Sequence, residues 1–302
     1  MTSRLRVLVL GGTGMVGHKM FQVLSSRPHL EVFATARDLK GLEGRFSAEE
    51  AGRIRTGVDA SDFDTVIRAL ASLRPDVVIN CIGLIKQLPL AEDPLTAITV
   101  NAQLPHRISL ICCAAKARMI QIGTDCVFDG TRGNYREEDP SDAKDLYGRT
   151  KFLGEVAYPH CITLRTSIIG HELKGRFSLV EWFLAQKHPV RGFTRAIYSG
   201  LTTPELARVV ADYVLPRADL RGLYHLSVDP INKYDLLKLI AEQYEVDTPI
   251  EPYDAVSIDR SLDSTRFREA TGYRPPSWPE LCRTMRQDYL ECGRYPEGKE
   301  RK

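Results

Sequence analysis

Arg6-Val-Leu-Val-Leu10 followed by Gly11-Gly12-Thr13-Gly14-Met15-Val16-Gly17 is the stretch that decides how this chain folds. The aliphatic run reads as a buried strand, and the pattern over Met15–Ser26 reads as a helix. A strand that turns through glycines into a helix is a phosphate cradle. Glycines at 11, 14 and 17 permit a tight turn, let main chain approach a pyrophosphate, and let the helix pack close on the strand. The helix N-terminus adds unpaired N–H groups and partial positive charge. Gly11, Thr13, Gly14, Met15, Val16 and Gly17 are therefore expected to bind a dinucleotide.

Outward from this turn, short apolar runs alternate with helical patterns as far as residue 170. Strands are expected at Glu31–Ala36, Ile54–Val58, Asp76–Asn80, Met119–Gly123 and Cys161–Arg165. Helices are expected over Ser61–Leu73, Pro94–Ala117 and Asp145–Tyr158. That alternation predicts an α/β fold, a Rossmann-type doubly wound parallel sheet with helices on both faces. Residues 1–170 form this NAD(P)-binding domain, rejoined by parts of 198–228. Residues 171–302 form mainly a smaller, irregular C-terminal substrate lobe. In the lobe, Phe177–Gln186, Glu205–Val214 and Lys233–Tyr244 read as helices and Val190–Thr203 as a loop. Pro249, Pro252, Pro275, Pro276 and Pro279 break up the C-terminal region. The charged residues from Arg294 to Lys302 read as a frayed tail.

Composition excludes several classes of function. Hydrophobic residues make up 43% and charged residues 26%, and the net charge is +2 over 302 residues. Nothing there suits nucleic acid or a membrane surface as a partner. No apolar run reaches the roughly 20 residues that span a bilayer. The N-terminal apolar stretch is interrupted by glycine too early for a signal peptide. Seven scattered cysteines form no CxxC pair and no metal-ligand spacing, so reduced thiols, a cytoplasmic location and no structural metal are expected.

The end of the second strand, Thr35-Ala36-Arg37-Asp38, bears on the choice of dinucleotide. A guanidinium at Arg37 suits a 2′-phosphate, which favours NADPH; Asp38 leaves NADH open. Asp59 either approaches the adenine amino group or caps the next helix. Asn80-Cys81-Ile-Gly83 ends the fourth strand, where Gly83 lets main chain run against the cofactor.

Tyr147 and Lys151 are four residues apart on a helix and share a face. A phenol with a pKa near 10 is a poor acid at neutral pH, and a neighbouring ammonium favours the phenolate. Lys151 is therefore expected to draw the Tyr147 pKa down towards working pH. Thr124 precedes Tyr147 by 23 residues and can hydrogen-bond the same substrate oxygen. Thr124, Tyr147 and Lys151 are the expected catalytic group.

Together with Thr124-Asp125-Cys126-Val-Phe-Asp-Gly130, Asp145-Leu-Tyr147-Gly-Arg-Thr-Lys151, Gly154-Glu155 and Leu164-Arg165-Thr166-Ser167, these motifs resemble the extended short-chain dehydrogenases/reductases. Within that group the chain is similar to the dTDP-4-dehydrorhamnose reductase family of nucleotide-sugar 4-ketoreductases. The resemblance implies hydride transfer from NAD(P)H to the C4 ketone of a nucleoside-diphosphate 6-deoxyhexulose. It also implies that the tyrosine protonates the new alkoxide and the lysine holds the nicotinamide ribose. Arg165, Thr166 and Ser167 would lie beside the nicotinamide.

The chain departs from the family at Cys126, where tyrosine is usual, and at Ser199–Thr203, where Gly-x-Pro-Thr is usual. The loop Leu84–Pro89 also differs. Asp125, Cys126 and Lys86 are expected on the sugar side, with Arg176 and Arg195 as diphosphate ligands. The substrate is either a dTDP-linked 4-keto-rhamnose precursor or a UDP-linked 2-acetamido-2,6-dideoxy-4-hexulose, used in bacterial surface-polysaccharide synthesis. A 4-epimerase on the same scaffold and a non-catalytic NADP-binding regulatory subunit are the alternatives. Related enzymes often pair through helices flanking the sheet, which leaves a homodimer open.

Overall fold

The computed structural model describes residues 4–86, 91–292 and 295. Gln87–Pro89 of the expected sugar-side loop lies outside the described residues, as does the tail from Arg294 onward except Tyr295. The first half runs β1 (Leu5–Leu10), α1 (Met15–Ser25), β2 (Leu30–Thr35), α2 (Ala48–Gly52), β3 (Ile54–Arg55), α3 (Phe63–Leu73) and β4 (Val77–Asn80). It continues with α4 (Pro94–Ala97), α5 (Leu104–Ala114), β5 (Arg118–Ile122), α6 (Leu146–Leu153) and β6 (Cys161–Arg165). The second half holds β7 (Ile168–Ile169), α7 (Leu179–Leu184), β8 (Val190–Tyr198), β9 (Leu201–Thr202), α8 (Thr203–Val209) and β10 (Gly222–His225). Last come β11 (Ile231–Asn232), α9 (Lys233–Tyr244), β12 (Ile250–Asp259), α10 (Thr265–Thr271) and α11 (Trp278–Glu291).

Seven strands form one parallel sheet in the order β10-β6-β5-β4-β1-β2-β3. Alternation along β1 sends Val7 and Val9 into one apolar core and Leu8 and Leu10 into another, so the sheet is covered on both faces. The order reverses at β1, with β2 on one side and β4 on the other. At such a switch point the loops leaving the carboxyl ends of the strands diverge and open a crevice.

Several boundaries differ from the sequence expectation, each for a local reason. The helix expected over 94–117 widens to a π-helical stretch at Ile98–Gln103 before α5 resumes. Pro105 has no N–H to give the Asn101 carbonyl four residues earlier, and its ring crowds that carbonyl. The strand expected at 54–58 stops at Arg55, because Gly57 turns the chain at φ +75°. The helix expected to reach Tyr158 ends at Leu153 on the Gly154 cap.

Val190–Thr203 is not a loop. β8 fills most of it and centres a three-stranded sheet, β11-β8-β12. Its alternation is hidden in the sequence because one inward position is Gly192, where a side chain would collide with Tyr234. Pro279 starts α11 rather than breaking the chain, as proline can in a first helical turn. Tyr295 is buried instead of frayed and stacks on Tyr289. No helix among the described residues is long and apolar enough to cross a membrane.

Candidate active site

Because the large sheet is parallel, the chain leaves β1, β4, β5 and β6 along one edge. Gly11–Gly17, Asn80–Gly83, Gly123–Cys126 and Thr166–Ser167 therefore share that edge. The glycine turn is drawn tight by Gly12 N–H donating to Thr35 O (2.7 Å) and Gly14 N–H to Gly11 O (3.0 Å). Gly11 sits at φ +80°, and a Cβ on Gly17 would fall 2.0 Å from Gly11 O. Gly14, by contrast, has nothing nearer than 3.5 Å to a Cβ, so the outer side of the turn is open. Gly14 gives α1 no side-chain cap, and no acidic residue occupies the first turn. Thr13, Met15 and Val16 flank these free donors, half-buried. An uncapped helix N-terminus behind an open glycine turn fits a dinucleotide pyrophosphate.

Arg37 is exposed just past β2, and Asp38 is spent on the Lys40 N–H (2.9 Å). Asp59 folds its own turn instead of capping α3: Oδ1 accepts from Ser61 N–H (2.8 Å), while Asp62 is the cap. Asn80 is fully engaged, donating to Gln121 Oε1 (2.8 Å) and accepting from Ile82 N–H (3.1 Å). Cys81 is half-buried, its thiol pushed up to about 12 by burial. A Cβ on Gly83 would reach Lys151 Nζ at 3.6 Å, so this loop passes directly over the lysine.

Asp145 caps α6 through Gly148 N–H (2.7 Å), and the first turns of that helix carry Tyr147 and Lys151. Thr124 caps the short turn Asp125–Val127, accepting from Cys126 N–H at 3.2 Å. Thr124 also acts on the half-buried Tyr147 phenol in the direction that lowers its pKa. Burial outweighs that help and raises the Tyr147 pKa, with Cys126, Asp125 and Asp145 adding in the same direction. The expected downward pull of Lys151 is therefore not what sets this phenol. Lys151 is itself lowered by burial, against the opposing Glu155 carboxylate, and donates to Ile122 O at 3.2 Å.

The expected sugar side holds residues the sequence named and others it missed. Lys86 pairs with Asp145 (2.7 Å) and lies 5.4 Å above the Tyr147 ring. Asp125 is buried and its pKa raised, with Arg260 and the Cys126, Ser167 and Thr124 side chains opposing. The Cys126 thiol is pushed up to about 12, chiefly by burial and by Asp125. Arg260, Lys233 and Tyr198 come from the second half of the chain and lie within electrostatic range of Asp125. Asn101, freed in the π-helical stretch, holds the Leu84 N–H at 2.9 Å. Nothing in their local sequence marks the first three, because pairing of distant strands brings them in. Arg176 and Arg195 are exposed, and among the described residues no hydrogen bond or ion pair joins them to this group.

Arg165 departs from its expected place at the nicotinamide. Its buried guanidinium grips Glu155 with two bonds (2.6 and 2.7 Å), approaches His225 at 3.2 Å and lies 5.2 Å from the Phe128 ring. The side chain is thus committed to the core under Lys151. Thr166 O accepts from Asp125 N–H (3.2 Å), and the Ser167 hydroxyl serves Asp125 and Tyr198.

A switch-point crevice with a glycine turn on one wall and a Tyr-x-x-x-Lys helix on the other belongs to the Rossmann-type short-chain dehydrogenase/reductase class. Residues 5–290 match the family model described as the RmlD substrate binding domain, and the chain belongs to that family. It is 33% identical over 155 residues to a dTDP-4-dehydrorhamnose reductase of Streptomyces griseus, 51% of this chain and 45% of that protein. The chain thus matches about half the length of that relative. It is 25% identical over 307 residues to the spore coat polysaccharide biosynthesis protein SpsK of Bacillus subtilis, covering 94% and 97% of the two. The solved dTDP-4-dehydrorhamnose reductase of Bacillus anthracis, in complex with NADP, superimposes with a TM-score of 0.76 at 20% identity. That likeness spans 95% of this chain and 99% of the other, and it is one of fold.

Proposed function

We propose that this protein is an NADPH-dependent oxidoreductase that reduces a ketone of a nucleotide sugar, specifically the C4 ketone of a nucleoside-diphosphate 4-keto-6-deoxy sugar. The observation that carries this is the seating of Tyr147 and Lys151 on one face of α6 under the Gly83 loop, with the phenol kept protonated by burial and Thr124 acting on it from the neighbouring turn. A bound reduced nicotinamide supplies the hydride. The chain supplies the rest. The glycine turn and the first N–H groups of α1 hold the pyrophosphate, and Arg37 meets the 2′-phosphate. Lys151, under the Gly83 loop, orients the nicotinamide ribose. Tyr147 donates its proton to the oxygen of the newly formed alkoxide, while Thr124 fixes that oxygen with a hydrogen bond. Thr166 and Ser167, at the end of β6, hold Asp125 and so the turn that carries Thr124.

The relatives named for rhamnose-precursor reduction and coat polysaccharide synthesis support this substrate class. The test is a screen of NADPH oxidation against UDP-, dTDP- and GDP-linked 4-keto-6-deoxy sugars. Turnover on at least one is expected. A protein that binds NADPH yet oxidises it with none of them ends the proposal, and dinucleotide retained through gel filtration points to epimerisation instead.

A further inference from the structure

Among the described residues, two cations on the sugar side have no counter-ion in contact. Arg260 is zipped against the catalytic turn by main-chain bonds: Asp259 N–H donates to Gly130 O (2.7 Å) and Tyr135 N–H to Ser261 O (2.8 Å). Its Nε donates to Phe128 O at 2.7 Å, but its two other nitrogens find only Asp129 O at 3.4 Å and Cys126 Sγ at 3.9 Å. Lys233 opens α9 after β11, within electrostatic range of Asp125, Cys126 and Arg260. Among the described residues neither cation lies within ion-pair distance of a carboxylate, and no hydrogen bond engages the Lys233 ammonium. Burial lowers the Lys233 pKa, as for an ammonium withdrawn from water. Lys86 is already neutralised by Asp145, while Asp125 lies within electrostatic range of both Arg260 and Lys233.

We propose that Lys233 and Arg260 form an oxyanion subsite for the substrate, against the Asp125–Cys126 edge of the catalytic turn. A guanidinium whose two terminal nitrogens have only long contacts, within electrostatic range of an ammonium that has no hydrogen bond, suits a carboxylate or a phosphate. Both cations are half-buried, and an opposite charge bound there would offset the water each has lost. The inference rests on the nucleotide-sugar proposal and names which residues hold that ligand's charge. For a 6-deoxy sugar the oxyanion is the diphosphate; for a sugar acid it is also a ring carboxylate next to the ketone. Arg176 and Arg195 are relieved of that task.

Calorimetric titration of the NADP-loaded wild type, Lys233→Met and Arg260→Met with UDP, UDP-glucose and UDP-glucuronate tests this. Each variant is expected to lose about tenfold or more in affinity, with NADP affinity unchanged. Equal losses for all three ligands assign the subsite to the diphosphate, and a loss confined to UDP-glucuronate assigns it to the carboxylate. Affinities unchanged in both variants overturn the proposal. Lys233→Met is expected to keep the wild-type Tm, since no hydrogen-bond partner is lost. Should Arg260→Met fail to fold, Arg260→Lys replaces it. If the wild type binds none of the nucleotides, the nucleotide-sugar proposal falls and inorganic pyrophosphate decides the subsite. A Tm rise with pyrophosphate in the wild type but in neither variant sustains it, and any other pattern refutes it.

Discussion

Burial holds the Tyr147 phenol above its ordinary pKa of about 10, so the donating form persists through neutral and mildly alkaline pH. Ketone reduction consumes a proton, and the neutral phenol is the state that supplies one. The reductive kcat/KM is therefore expected to stay flat between about pH 6 and pH 9 as far as this group is concerned. An alkaline decline centred near pH 7, lost in Tyr147→Phe, would show the phenol to be lowered instead. Tyr147→Phe should cut turnover by about 10²-fold or more while leaving NADPH affinity near wild type, as measured by steady-state kinetics and dinucleotide fluorescence. Asp125 gives a stability prediction. Its carboxyl is buried with a raised pKa, so the protonated form is favoured in the folded state relative to the unfolded one. Its contribution is present below the unfolded carboxyl pKa of about 4 and is lost as pH rises through the folded value. Asp125→Asn should thus raise Tm relative to wild type at pH 8, with the gain shrinking towards pH 4. A gain that grows on acidification would contradict the direction.

At the scale of elements, the Tyr147 helix is placed by close main-chain contact. Pro105 leaves the Asn101 carbonyl without its helical donor, and Gly154 packs over that carbonyl: a Cβ there would fall 1.9 Å from Asn101 O. Gly148 does the same nearer the start of α6, where a Cβ would fall 2.3 Å from Cys126 O. The two glycines seat α6 between the π-helical stretch and the Asp125–Val127 turn, which fixes where Lys151 points. Gly154→Ala should therefore push α6 outward, lower Tm and reduce both kcat and NADPH affinity. Activity unchanged in that variant would mean that Lys151 is positioned by something other than this seat. The buried Arg165–Glu155 pair lies beneath the same helix and keeps Glu155 beside Lys151.

At the scale of the molecule, the last described elements close back on the first helix. Lys19 of α1 is fully buried and pairs with Asp288 of α11 at 2.5 Å, with Tyr295 placing its ring 5.5 Å from the ammonium. α1 follows the glycine turn, so the carboxyl-terminal helix braces the proposed dinucleotide site from behind. Removing one partner of a buried pair leaves a charge out of water. Asp288→Ala should cost about 3 kcal/mol in urea unfolding at pH 7. A loss below about 1 kcal/mol, the range of exposed pairs, would show that Gln22 and the Tyr295 ring suffice for Lys19. A second long-range device is the zipper of 130–135 against 259–263, which carries Arg260 to the Asp125–Val127 turn.

The switch point was not legible in the sequence, whereas the parallel sheet and the local motifs around Gly11–Gly17 and Tyr147–Lys151 were. Those rest on hydrophobic periodicity, glycine sterics and helical spacing, all properties of neighbours along the chain. Only the tertiary structure decided that β8 and β12 pair, because β12 is mostly exposed and shows no apolar alternation. It alone brought Arg260 and Lys233 to Asp125, gave Arg165 to Glu155, and turned the Tyr147 pKa upward. Burial and charge pairing depend on which surfaces meet, and residues on different elements have no local pattern that records the meeting.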